Sequence, residues 1–111
     1  MMRELRSNRL SDQVEEATRL WARKGGKRGR AEQIERMMVF AAFAEASGVR
    51  DRGQLGGRTV IRFWRHLRAA GRSYATMQSY YYALRHLWAL LELPGEVPPP
   101  RAPEGGEAAS R

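Results

Sequence analysis

The sequence predicts an all-α fold, a compact four-helix bundle with a disordered C-terminal tail. Three observations point there. Four stretches carry apolar residues at helical spacing, and each is bounded by glycine, proline or a capping residue. No stretch alternates with the period of two that a half-buried strand needs. The 111 residues suffice for one domain with a single modest core.

Residues 1–10 read as a flexible N-terminus, polar and charged, with nothing to hold it down. Ser11-Asp12 can cap a first helix reaching about residue 24, on which Val14, Ala17 and Trp21 share a face. The run GGKRG at 25–29 then breaks the chain into a flexible basic loop. A second helix is expected over 30–46. Ile34, Met37, Met38, Ala41 and Ala44 form its apolar face, Phe40 and Phe43 widen it, and Ser47-Gly48 ends it.

The loop VRDRGQLGG follows, and its Gly56-Gly57 pair forbids a continuous helix. A third helix over 58–70 lines one side with Val60, Phe63, Trp64 and Leu67. Arg58, Arg62, Arg65 and Arg68 occupy the rest, with Arg72 just beyond the Gly71 stop. The fourth, over 73–92, has Ser73 as N-cap. Met77, Tyr80, Tyr81, Leu84, Leu87, Trp88 and Leu91 follow the i, i+3, i+4, i+7 rule. The helical domain is thus 11–93. Residues 94–111 are rich in Pro, Gly and Glu and read as a disordered tail or linker.

The charge is lopsided. Twenty basic residues face twelve acidic ones, giving a net charge of +8 and a pI near 11.0. Eighteen of the twenty are Arg. A GC-rich genome explains Arg over Lys, but not the shortage of acids beside them. Between residues 19 and 85 there are 15 basic residues and only Glu32, Glu35, Glu45 and Asp51 as acids, so the excess sits on the folded part. Such a balance favours a polyanion, nucleic acid before an anionic membrane. The basic residues gather before the second helix (Arg23, Lys24, Lys27, Arg28, Arg30) and before the fourth (Arg72). A helix N-terminus already offers free N–H groups and a positive dipole end to phosphate. The arginines of the third helix read equally well as a solvated face.

The stretch QLGGRTVIRFWRHLRAAGRSYATMQSYYYALRHLWALL resembles the end of the core-binding domain of tyrosine recombinases. The likeness lies in Val60, Phe63 and Leu67, the Gly71 turn, Ser73 and Thr76, and the run from Tyr82 to Trp88. Upstream, Phe40, Phe43 and Gly48 fit the same pattern, so the likeness spans about 28–100. Two places depart from it. Gly29 and Gln33 stand where the family carries Thr and Tyr, and VPPP replaces its closing Asn-Pro.

The resemblance implies a SAM-like four-helix bundle that forms half of a clamp around double-stranded DNA. Two helix N-terminal halves would then face the major groove. Carried over, the DNA-binding positions are Arg28, Arg30 and Gln33 on one helix, and Arg72, Tyr74, Thr76, Gln78 and Ser79 on the other. Arg and Gln there can read guanine and adenine edges. Thr76 and Ser79 read equally well as capping and surface hydroxyls. A recombinase catalytic domain, or another protein, is a second candidate partner.

No enzyme is expected. The recombinase reaction needs an Arg/His/Arg constellation in a catalytic domain longer than this chain, and Tyr80 and Tyr81 lie on the core stripe. The chain has no cysteine, and His66 and His86 lack a ligand at i+3 or i+4, so neither a metal nor another cofactor is expected. No signal peptide or run of ~20 apolar residues appears. The expectation is a cytoplasmic, nucleoid-associated protein of a bacterium or phage, with no membrane partner. The competing classes are a helical protein–protein adaptor of a recombinase or mobile-element complex and an RNA-binding basic bundle. Charge alone separates neither from DNA binding.

Overall fold

The structure, a computed structural model, describes residues 9–23 and 27–102, and of Lys27 and Arg28 the backbone alone. Among the described residues it is all-helical: α1 (Leu10–Arg23), α2 (Lys27–Ala46), a 3-10 turn (Arg52–Gln54), α3 (Gly57–Ala69) and α4 (Tyr74–Leu91).

α1 begins earlier than its sequence suggests. Leu10, assigned above to the flexible N-terminus, is fully buried and opens the helix, and the Gln13 amide already bonds to the Arg9 carbonyl at 3.0 Å. Ser11 therefore lies inside the first turn and is not the cap. The cap comes from 34 residues away. Glu45, in the last turn of α2, accepts from the Ser11 amide at 2.8 Å and from its hydroxyl at 2.9 Å. It also pairs with Arg9 at 3.8 Å. A carboxylate suits an N-terminal amide and the dipole end behind it. Residues 1–8 lie outside the described residues.

α2 begins at Lys27, so the expected basic loop at 25–29 shortens: Lys27, Arg28 and Gly29 belong to the helix. The tie at its start is Arg30, whose Nη1 donates to the Trp21 carbonyl at 3.0 Å, while its guanidinium lies 4.4 Å from the Trp21 ring centre. With Glu45 on Ser11 at one end and Arg30 on Trp21 at the other, α1 and α2 form an antiparallel pair. Gly48, at φ 103°, turns the chain out of α2.

The core follows the stripes. Val14 on α1, Met37, Phe40, Ala41 and Ala44 on α2, Val60, Phe63, Trp64 and Leu67 on α3, and Met77, Leu84, Leu87, Trp88 and Leu91 on α4 are all buried. Phe63 is the hub. Its ring meets Phe40 edge-on at 5.2 Å, Phe43 at 5.2 Å and Tyr80 at 5.3 Å, joining α2, α3 and α4. Tyr80 and Tyr81 pack against this core while staying partly exposed.

Residues 94–102, assigned above to the tail, pack against the bundle. The chain leaves α4 through Glu92 in the left-handed conformation (φ 56°, ψ 45°) and returns as a strap along α3. Val97 and Pro100 are buried. The Pro98 carbonyl accepts from Trp64 Nε1 at 2.9 Å, and the Arg101 carbonyl accepts from Arg68 Nη2 at 2.7 Å. The indole explains the reversal: a buried Trp N–H needs an acceptor, and the strap supplies it. Residues 103–111, the rest of the expected tail, lie outside the described residues.

Candidate nucleic-acid interface

α4 starts where Ser73 predicts. Its Oγ accepts from the Thr76 amide at 3.1 Å and donates to Thr76 Oγ1, also at 3.1 Å. Arg72 stands just before this cap. It is exposed because Gly71 (φ 82°) turns the chain out of α3, with the Arg72 amide closing on the Leu67 carbonyl at 3.0 Å. Such a glycine stop followed directly by a serine cap holds a basic side chain beside the free N–H groups of the next helix.

The remaining sequence-predicted positions on α4 divide by role. Thr76 belongs to the cap. Ser79 donates to the Ala75 carbonyl at 3.3 Å, and Gln78 Nε2 donates to the Tyr74 hydroxyl at 3.4 Å. All of these are half-buried, and Tyr74 also packs against the core. The Gln78 carbonyl oxygen faces no described donor.

On α2, Gln33 is half-buried, and the Arg28 side chain lies outside the described residues. Arg30 is held by Trp21, so part of its donor capacity goes to joining α1 to α2. The Trp21 ring in turn lies 5.1 Å from that of His86. His86 is three turns beyond the start of α4, ~18 Å along its axis. The structure thus sets the end of α1, with Arg30 of α2 held on it, against the middle of α4. In the turn of α4 before His86 stand Tyr82, half exposed, and Arg85, whose guanidinium sits 5.7 Å from the Tyr81 ring. Neither Trp21, Arg85 nor His86 was among the sequence-predicted site residues. Pattern reading assigns Trp21 to a core stripe and cannot see a stack that forms across helices.

Charge is unevenly spread along the chain. From residue 57 to 91 there are six arginines and no acidic residue. Of the acids elsewhere, Glu45 is committed to Ser11 and Arg9, and its carboxyl is held below the ordinary value, first by the Ser11 amide. Asp51 accepts from the Gly53 amide at 2.8 Å. Among the described residues Arg58, Arg62, Arg65 and Arg72 make no hydrogen bond or ion pair through their side chains. Their charge is therefore unspent.

Among the described residues no group of three or more His, Asp or Glu side chains is placed to hold a metal ion. No described helix is long and apolar enough to cross a membrane. An open groove of about 440 Å³ runs between the end of α4 and the strap, lined by Tyr81, Arg85, Trp88, Glu92 and Glu96 among others. No known protein family, curated protein or solved structure matches the chain.

Proposed function

We propose that the chain is a duplex-DNA-binding module, non-catalytic by itself, of the kind that tyrosine recombinases use as a core-binding domain. In this reading it serves DNA integration or recombination beside the nucleoid of a bacterium or phage. Arg28, Arg30 and Arg72 are the principal contacts, and Gln33, Tyr74, Thr76, Gln78 and Ser79 are the neighbouring groove-facing residues. The observation that carries the reading is the acid-free stretch 57–91, with Arg72 exposed and unpaired among the described residues at the N-terminus of α4. A phosphate placed there meets a guanidinium and helix N–H groups together.

The test is a set of binding titrations with duplex DNA, single-stranded DNA and duplex RNA of equal length at several salt concentrations. Duplex DNA should bind best, and the Arg28/Arg30/Arg72 triple alanine variant should lose that affinity at physiological salt. Retained affinity overturns the assignment, and stronger binding of duplex RNA moves the reading to RNA.

An adaptor role draws on the exposed side chains Leu20, Val39, Ile61 and Tyr82. They lie one to a helix, and apolar residues scattered singly over a surface are ordinary. DNA binding is therefore the better supported reading.

A further inference from the structure

We infer that the outer face of α3 is a second, sequence-independent contact for a nucleic-acid backbone, separate from the helix starts and carried by Arg58, Arg62 and Arg65. The inference rests on the DNA-binding reading and extends it to residues outside the groove-facing set.

Geometry comes first. Val60, Phe63, Trp64 and Leu67 are all buried, which fixes the rotation of α3. Arg58, Arg62 and Arg65 then fall at i, i+4 and i+7 on the opposite side, and all three are exposed. The row is ~10 Å long at the rise of a helix. A duplex of that length presents on the order of six phosphate charges.

The energetic argument is that this row has no partner within the fold. α3 contains no acidic residue, and none of the three guanidinium groups is hydrogen-bonded among the described residues. Like charges at i, i+4 destabilise a helix, so the free protein carries a repulsion that a polyanion relieves. Arg68 differs: its Nη2 is held by the Arg101 carbonyl at 2.7 Å, which places the strap along one flank of the row. Guanidinium groups suit phosphate because their donors engage two oxygens at once.

An anionic membrane surface is the competing polyanion. A membrane-lying helix needs an apolar face to bury in the lipid, and the apolar face of α3 is already spent on the core. Only Ile61 remains exposed on α3 as a large apolar side chain. Nucleic acid is favoured.

The experiment measures binding of labelled duplexes of several sequences across a salt series. It compares the wild type, Arg62→Ala/Arg65→Ala, Arg62→Lys/Arg65→Lys and Arg72→Ala, with thermal melts confirming that each variant is folded. The double alanine variant should weaken every sequence alike and flatten the log–log salt slope by roughly 1.8, about 0.9 for each lost phosphate contact. The double lysine variant should keep most of the slope. An unchanged slope in the double alanine variant, with Arg72→Ala still impaired, overturns the row and leaves the proposed function standing. Wild-type protein that binds no duplex at low salt overturns both. Loss of binding to phosphatidylserine vesicles with duplex affinity intact overturns the row in favour of a membrane.

Discussion

Glu45 is the residue on which the start of α1 and the end of α2 meet, and its protonation has a defined sign. The Ser11 amide has the largest effect and lowers its carboxyl below the ordinary value; burial, next in size, opposes it, and the Ser11 hydroxyl and Arg9 add to the lowering. A carboxylate lowered in the folded state adds stability that is complete above its unfolded pKa of ~4.3. That stability is lost as pH falls through the lowered folded value. Glu45→Gln should therefore melt below the wild type at neutral pH, and the gap should close as the solution is acidified. A gap that stays constant into acid would show that the charge is not what holds Ser11. Arg30 shows a different division of labour. Its hydrogen bond to Trp21 and its place over the indole ring make it a joint between helices, so Arg30→Ala should cost about 1–2 kcal/mol of stability. The Arg72 side chain is exposed and makes no hydrogen bond or ion pair among the described residues, so Arg72→Ala should stay within about 0.5 kcal/mol of wild type. Urea unfolding of the two variants separates the roles.

The strap is the element with the largest mechanical consequence. Ending the chain after Pro94 would uncover Trp64, remove the acceptor of its N–H and discard the buried Val97. A buried Val is worth about 1.5–3 kcal/mol and the hydrogen bond about 1 kcal/mol. The truncated chain should therefore melt markedly lower, with red-shifted tryptophan emission; an unchanged melt would mean that the strap rests on α3 without holding it. Leu84→Ala, at a fully buried position of α4, should cost about 2–5 kcal/mol. The four helices and their inward stripes were legible in the sequence because α3 and α4 repeat Val60–Leu67 and Met77–Leu91 at helical spacing between clear stops. The ends and the strap were not. Glu45 caps Ser11 from 34 residues away, and local pattern carries no trace of that. Residues 97–100 look like linker until Trp64, on another element, requires an acceptor. At the site, the Ser73 cap with Arg72 before it was readable as a local motif. Arg30 was not, because its partner Trp21 lies across the helix–helix turn.

At the scale of the whole molecule the dominant fact is an uneven field. The stretch from residue 57 to 91 holds six arginines and no acidic residue, and those on the outer face of α3 repel one another in the free protein, a repulsion that salt screens. The melting temperature of the protein alone should therefore rise with ionic strength, opposite to a fold held by surface ion pairs. Duplex DNA reverses the trend. Bound at low salt in ~100-fold excess over Kd, it should add about 2.7 kcal/mol through binding to the folded state alone. That corresponds to a rise of very roughly 10–20 °C for a domain of this size. As salt increases, counterion release is no longer rewarded and the affinity falls steeply. The duplex-bound curve should then descend toward the rising curve of the free protein until the two meet. Thermal melts with and without duplex across one salt series give both curves together. A free-protein melting temperature that falls with salt would show that these arginines are paired inside the fold, and the surface assigned to the backbone of DNA would lose its basis.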